Sequence, residues 1–303
     1  MNNIKKSALI MGFGSIGEKH AMILNKHFNY KNIFIFTKRK IKKFKVIKQL
    51  KDIKKLNLNY IIISSDTSKH FSQLNYILKN FRNKKILVEK PLFTKFQKIK
   101  NKSNKIYVGF NLRFHPQILF LKKFLNKKKI YNVKVICNSF LPNWRKNIDY
   151  KKSSSSNKSK GGGVILDLSH EFDYIRWIFG EIKLNYVKQI KLAKITHNTE
   201  DTLNLHGKVK NANLSVDLNY ISRIPKRTIF IDAKDFSITL DLILNYLTIK
   251  SNKRSFTKQI KNFDKNLTYI NQHRAILSNK KQNLCSLKFA NETMRLIDKI
   301  KKW

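Results

Sequence analysis

Apolar and polar positions along this chain change period in a regular way. From Ser7 a short unbroken apolar run, Ala8 to Met11, meets three glycines spaced G-x-G-x-x-G (Gly12, Gly14 and Gly17), and apolar residues then recur at helical intervals, Ile16, Ala21, Ile23 and Leu24. That succession predicts strand, tight turn and helix. Further apolar runs follow at 32–36, 60–64, 85–88 and 106–110, the second of them, YIIIS, continuous as in a strand covered on both faces. Between them, helical spacing is expected over 44–58 (Ile47, Leu50, Ile53, Leu56) and from Phe71 through Leu74, Ile77 and Leu78. Alternating strand and helix predicts a doubly wound parallel sheet over residues 1–115.

Beyond residue 115 the pattern changes. A helix is expected over 117–125 and a strand over 133–140, followed by Pro142-Asn143-Trp144-Arg145, Asp149-Tyr150 and the run SSSSNKSKGGG. An apolar segment, VILDLSHEFDYIRWIF, starts at once after that run, so residues 151–160 read as a mobile loop inside a second domain, 116–303. Six strand-like runs between 182 and 249, separated by short polar turns, imply an antiparallel sheet. Helical patterns at 268–277 and 284–300 close the chain. The fold class is α/β followed by α+β.

Composition alters this picture little. With 303 residues, 42% apolar and 21 Phe, two cores can be built. The net charge of +46 invites a nucleic-acid reading, yet of the 64 basic residues only ten are Arg, and the lysines are scattered through nearly every segment. A solvated basic surface that steers anionic substrates is preferred, with no specific nucleic-acid partner. Cys137 and Cys285 belong to no metal-spaced or C-x-x-C set, so neither a metal site nor a disulfide is expected. No run reaches the length of a membrane span, and a soluble cytoplasmic protein is expected.

The glycine turn suits a dinucleotide pyrophosphate. Gly12 permits the turn, Gly14 lets backbone approach the phosphates, and Gly17 lets helix and strand pack; the N–H groups opening the helix, at Ser15 and Ile16, face the anion. After the second strand, Thr37-Lys38-Arg39 stands where an NAD site carries an acidic residue. A hydroxyl and two cations slightly favour the 2′-phosphate of NADP over NAD; the plain alternative is that both cations are ordinary surface charge. The polar turn Ser65-Asp66-Thr67, with His70, lies at a strand's carboxyl end, where ligands bind in such sheets; Thr67 or Ser68 could also simply cap the next helix.

Five stretches taken together resemble the glucose-fructose oxidoreductase, inositol dehydrogenase and rhizopine-catabolism (Gfo/Idh/MocA) family: GFGSIG (12–17), SSDTSKH (64–70), VEKPL (88–92), VGFNLRFHP (108–116) and GGGVILDLSHEFDYIRWIFG (161–180). The resemblance implies a Rossmann domain, a C-terminal domain on an open, mostly antiparallel sheet, and NAD(P)-dependent oxidation or reduction of a sugar, cyclitol or nucleotide sugar. It implies a catalytic Lys90 and His170, with Asp167 orienting His170 or holding a substrate hydroxyl; a carboxylate at a helix terminus is the plain alternative for Asp167. Members commonly place the Asp four positions before the His, whereas Asp167 and His170 are three apart; His170 keeps the usual spacing to Asp173.

In this reading Glu89, Lys90 and Asn111 join the cofactor contacts, and Arg113, Trp144, Arg145 and Tyr150 meet the substrate by stacking and bidentate contact, although Trp144 and Tyr150 could instead only cap the sheet's core. Lys90 polarises the reacting oxygen and His170 exchanges its proton, the two acting as a pair. A homo-oligomer through the C-terminal sheet is also expected. Two rivals stand beside the enzyme: a non-catalytic NAD(P)- or sugar-binding sensor on the same fold, and a nucleic-acid-associated protein.

Overall fold

The computed structural model describes residues 6–144 and 149–303, which fall into two compact units, 1–114 with 266–294, and 115–265 with 295–303. The first unit is built on β1 (Ser7–Met11), α1 (Ser15–Phe28), β2 (Asn32–Phe36), β3 (Lys45–Ile47), β4 (Tyr60–Ile63), α2 (Thr67–Asn80), β5 (Lys85–Val88) and β6 (Lys105–Val108). The second contains α3 (Pro116–Phe124), β7 (Ile130–Phe140), α4 (Val164–Asp167), α5 (His170–Phe179), β8 (Ile182–Ile190), β9 (Thr202–Val209), β10 (Ala212–Asn219), β11 (Ile221–Ala233), β12 (Ser237–Asp241), β13 (Tyr246–Lys250) and β14 (Ser255–Gln259). α6 (Asn266–Leu277), β15 (Cys285–Ser286) and α7 (Leu287–Lys301) complete the chain.

The first sheet runs β15-β6-β5-β4-β1-β2-β3, parallel throughout except for β15, which pairs antiparallel with β6. Every residue of β1 and β4 is buried, as the continuous apolar runs predict for a sheet covered on both faces. One face carries Ala8, Ile10, Ile33, Ile35, Tyr60, Ile62, Leu87 and Tyr107, and packs against Ala21 and Leu24 of α1 and Ala275 and Ile276 of α6. The connection from β5 to β6 contains no helix, and α6 returns from far along the sequence to pack on the face that α1 also covers. The expected division into 1–115 and 116–303 lacks this return of residues 266–294.

The helix expected over 44–58 is a short strand, β3, on the edge of the sheet and a 3-10 turn at Leu50–Lys55. Lys45, Lys48, Lys51, Lys54 and Lys55 would fall on neighbouring turns of an α-helix and repel one another, while β-branched Val46 and Ile47 favour extended backbone. The last helix begins at Leu287, because Cys285 and Ser286 are taken up by pairing with Val108 and Tyr107.

In the second unit eight strands run β14-β13-β12-β11-β7-β10-β9-β8, antiparallel except for the β7–β10 pair. Burial alternates along them: Val133, Val135 and Cys137 of β7, Leu214, Val216 and Leu218 of β10, and Leu203, Leu205 and Val209 of β9 are buried while their neighbours are more exposed. That is the period-two pattern of a sheet with one face on a core. Residues 151–160, expected to be mobile, are folded against this unit, with Ser155 and Ser156 buried and Ser156 accepting from the His197 amide at 3.0 Å.

His115 caps α3, its Nδ1 accepting from Gln117 N at 3.3 Å while Nε2 faces Asn245 Oδ1 at 3.3 Å. Burial, with a smaller push from Arg227, lowers its pKa to about 4 against the opposing bond to Asn245. The folded protein therefore leaves this ring neutral where the unfolded chain protonates it, and stability falls as pH drops from the ordinary His value towards 4. His115→Asn keeps an N-capping oxygen and removes the titration. Urea unfolding should show wild type losing about 3 kcal/mol more than the variant over that interval; parallel pH profiles would refute it.

Candidate functional site

β1 lies between β2 and β4, so the strand order reverses at β1 and β4, and in sheets of this kind ligands bind beyond the carboxyl ends of the strands at such a reversal. Gly12 leaves β1 with φ +100°, a conformation that side chains resist, and its N–H bonds Phe36 O at 3.0 Å. A Cβ there would stand 2.6 Å from Ser65 backbone, and one at Gly17 would overlap the Gly12 carbonyl and reach 2.8 Å from Ser64 Oγ. Internal packing thus accounts for both residues.

Gly14 differs. Its φ of −85° suits any residue, and a Cβ built on it meets nothing within 4 Å. No contact within the protein requires glycine here. Gly14 is also the N-cap of α1, with no side-chain cap, and the first helical bond is Glu18 N to Gly14 O at 2.9 Å, which leaves the amides of Ser15, Ile16 and Gly17 ahead of it. An anion set against Gly14 would meet those N–H groups and the positive end of the helix dipole. This cradle, which a Cβ would fill, fits the pyrophosphate of a dinucleotide.

At the end of β2, Thr37 Oγ1 accepts from the Arg39 amide at 3.2 Å, and Arg39 Nη1 donates to Phe13 O at 2.9 Å. Arg39 is thereby drawn onto the glycine turn, and Lys38 is exposed beside it. After β4 the Ser65 hydroxyl donates to Gln73 Oε1 at 2.8 Å, Asp66 pairs with exposed Lys69 at 3.0 Å, and Thr67 opens α2.

His70, expected as a cofactor contact, is 1% exposed. Its Nδ1 faces Pro91 O at 3.1 Å and Leu92 O at 3.3 Å, and its Nε2 faces Ser65 O at 3.0 Å. It holds two loops together. Burial lowers its pKa, against the raising effect of the Ser65, Pro91 and Leu92 carbonyls and of Glu89.

Asn111 and Arg113 are likewise engaged within the protein. Asn111 is buried with its amide donating to Thr268 Oγ1 at 2.7 Å; Arg113 is 2% exposed, its guanidinium over the Phe289 ring at 4.3 Å and Nη1 donating to Leu284 O at 3.4 Å. Both fasten the returning 266–294 segment to the end of β6.

Lys90 stands half-buried between two residues that buried histidines hold. Pro91, joined to it by a cis peptide bond, meets His70, and Glu89 is bonded to His20 Nε2 at 3.0 Å. Glu89 Oε2 also accepts from the Lys90 amide at 3.3 Å, and a Cβ at Gly109 would overlap the Glu89 carboxylate.

In the second unit, Gly161 and Gly163 take φ of +83° and +113°, and a Cβ at Gly162 would run into the Ser154 carbonyl. Glu200 caps α4, its carbonyl accepting from Val164 N at 3.2 Å and its Oε1 from Ile165 N at 3.3 Å. Burial raises the Glu200 pKa against the opposing effect of its own amide, Lys301 and the Ile165 amide. Asp167 ends α4 and His170 begins α5, both half-buried.

Asp167 Oδ2 accepts from Tyr220 OH at 2.7 Å, and the Tyr220 ring abuts Trp144 at 5.1 Å. Trp144 Nε1 donates to Ser139 Oγ at 2.9 Å. Trp144, Tyr220 and Asp167 thus form one cluster in this unit, while Tyr150 sits half-buried in a 3-10 turn and Arg145 lies outside the described residues. Tyr220, Glu200 and His20 escaped the sequence reading, since a single polar residue in a turn, a loop or a helix carries no local signal. Among the described residues no group of His, Cys, Asp and Glu could hold a metal ion, and no helix is long and apolar enough to cross a membrane.

Residues 6–105 match the Gfo/Idh/MocA model, described as oxidoreductase family, NAD-binding Rossmann fold. No curated protein matches the chain significantly by sequence. Among solved structures, levoglucosan dehydrogenase in complex with NADH superposes at TM-score 0.83 and 15% identity, covering 98% of this chain and 96% of that one. WlbA dehydrogenase from Bordetella pertussis, in complex with NADH and UDP-GlcNAcA, gives 0.76 and 14%, covering 100% and 96%. A super-repressor mutant of Gal80p from Saccharomyces cerevisiae gives 0.76 and 13%, covering 98% and 95%. At these identities the likeness is one of fold. Through residues 6–105 the chain carries the NAD-binding Rossmann fold of the Gfo/Idh/MocA oxidoreductase family.

Proposed function

We propose that the protein is an NAD(P)-dependent oxidoreductase acting on a hydroxyl or carbonyl group of a sugar, cyclitol or nucleotide sugar. The observation that carries this reading is Gly14, a glycine that neither backbone angle nor packing requires, standing at the N-terminus of α1 beside the strand-order reversal. The names of two structural neighbours, levoglucosan dehydrogenase and a dehydrogenase bound to a nucleotide sugar, support the substrate class.

The amides of Ser15, Ile16 and Gly17 would hold the pyrophosphate, and Ser65, Asp66 and Thr67 would line the nicotinamide half. Arg39, drawn onto the turn through Phe13 O, and Lys38 would meet a ribose 2′-phosphate, which favours NADP. A bound nicotinamide supplies the hydride acceptor or donor. Lys90 polarises the substrate oxygen, His170 takes up or delivers its proton, Asp167 orients His170 or a substrate hydroxyl, and Trp144 and Tyr150 contact the sugar. The reading includes a cytoplasmic location and association of copies through the antiparallel sheet, where Tyr131 and Tyr186 are exposed. A sensor on the same fold is the second reading, favoured by the Gal80p neighbour; it would bind the dinucleotide without turning over a sugar.

Three measurements test these assignments. Gly14→Val should abolish dinucleotide binding, read by fluorescence titration, while the unfolding midpoint stays put; normal binding would place the phosphates elsewhere. NADP should bind more tightly than NAD, with Arg39→Ala narrowing the gap, and equal affinities in the unmutated protein would remove the NADP preference. In a panel of sugars and nucleotide sugars followed by nicotinamide absorbance, Lys90→Ala and His170→Ala should each lower kcat by roughly 10²–10⁴. Binding of dinucleotide without turnover of any panel member would favour the sensor.

A further inference from the structure

Four buried groups from four elements of the first unit stand in an unbroken file. Tyr60 OH of β4 lies 3.0 Å from His273 Nδ1 of α6, His273 Nε2 lies 2.9 Å from His20 Nδ1 of α1, and His20 Nε2 lies 3.0 Å from Glu89 Oε1 after β5. Tyr60, His273 and His20 are fully buried and Glu89 is 8% exposed. Each of the three contacts needs one hydrogen. With neutral rings and an ionised carboxylate there is one way to supply them: Tyr60 donates to His273, His273 Nε2–H to His20, and His20 Nε2–H to Glu89.

Reversing the file, or charging either ring, directs a hydrogen at the Tyr60 oxygen and leaves its own O–H buried with no other acceptor among the described residues. Burial pushes Tyr60 well up and His273 well down, the latter with help from His20, so both stay neutral at pH 7. At its far end the file stops inside the core at Tyr60, so it is no route for protons to solvent. Its effect is orientation, and the open end is Glu89, whose second oxygen accepts from the Lys90 amide.

We infer that Tyr60, His273 and His20 are positioning residues, which hold Glu89 as a hydrogen-bond acceptor and through it set the backbone that presents Lys90. Their service to chemistry rests on the role proposed above for Lys90; the order of the file does not. Gly109 is part of the same arrangement, because any side chain there would displace the Glu89 carboxylate.

Nitrogen-15 NMR of the full chain at pH 7 reads the order directly. His20 and His273 should both be neutral Nε2–H tautomers. His273→Leu removes the donor to His20 Nδ1, so this nitrogen should shift to the position of an imidazole acceptor with no hydrogen bond while Nε2–H stays on Glu89, and the Lys90 amide resonance should move. Tyr60→Phe, a milder change, should leave His273 Nδ1 without its donor, which moves that nitrogen's resonance, and should shift the same amide by less. Ile62→Val, in the same core but outside the file, should leave all three signals in place. Where turnover is measurable, His273→Leu should lower kcat roughly ten- to a hundredfold with KM little changed. An Nδ1–H or cationic ring in the unmutated protein, or a Lys90 amide unmoved in both file variants, would overturn the inference. A protein that binds no dinucleotide or turns over no sugar would refute the functional reading, while the tautomers and the Lys90 amide still decide this one.

Discussion

Cover for a bare sheet face is the requirement from which much of the first unit follows. A parallel sheet is stable only with apolar cover on both faces, and the usual source of cover is the helix in each crossover. Here the face that α1 covers through Ala21 and Leu24 is completed by Ala275 and Ile276 of α6, a helix from far along the chain. The same helix carries His273 to Tyr60, 213 positions earlier in the chain, and onward to His20. A packing need thus places a polar file in the core, where every member must be satisfied by another because water cannot reach it.

The sequence shows the sheet well and its cover poorly, for a physical reason. Runs such as YIII are buried on both faces, so their continuity is itself the signal of a central parallel strand. Helical periodicity at 268–277 reveals a helix, but an apolar stripe does not say which face it will cover. The mistaken helix at 44–58 shows the limit from the other side, for the apolar spacing fits while the lysines at the same spacing oppose it. Spacing counts apolar positions and is silent about like charges between them.

A similar ambiguity governs the candidate site. Polar residues at the carboxyl ends of strands must be satisfied, and either a ligand or the protein can do it. His70, Asn111 and Arg113 find partners within the same unit, among them carbonyls, a threonine and an aromatic ring. The glycines divide on the same principle. Gly12 and Gly17 are explained once the neighbouring backbone is seen, and what remains unexplained, Gly14, is the better indicator of a ligand because the fold has no use for it.

The serine and glycine run of the second unit carries that argument furthest. Low complexity usually means too little apolar surface to fold, and here too there is almost none. Small side chains nevertheless permit backbone to pack on backbone: Gly163 N bonds Ser155 O at 3.0 Å, Gly162 N bonds Asn157 O at 3.0 Å, and Gly162 lies where a Cβ would strike Ser154. With Glu200 capping the helix that follows, residues 161–173 are buried at every position except two. Those two are Asp167 and His170. A segment built so tightly that it withdraws its other two acids, Glu171 and Asp173, and leaves one carboxylate and one imidazole accessible has the form expected of a platform for polar chemistry, and the Tyr220 hydroxyl that fixes Asp167 is part of that form.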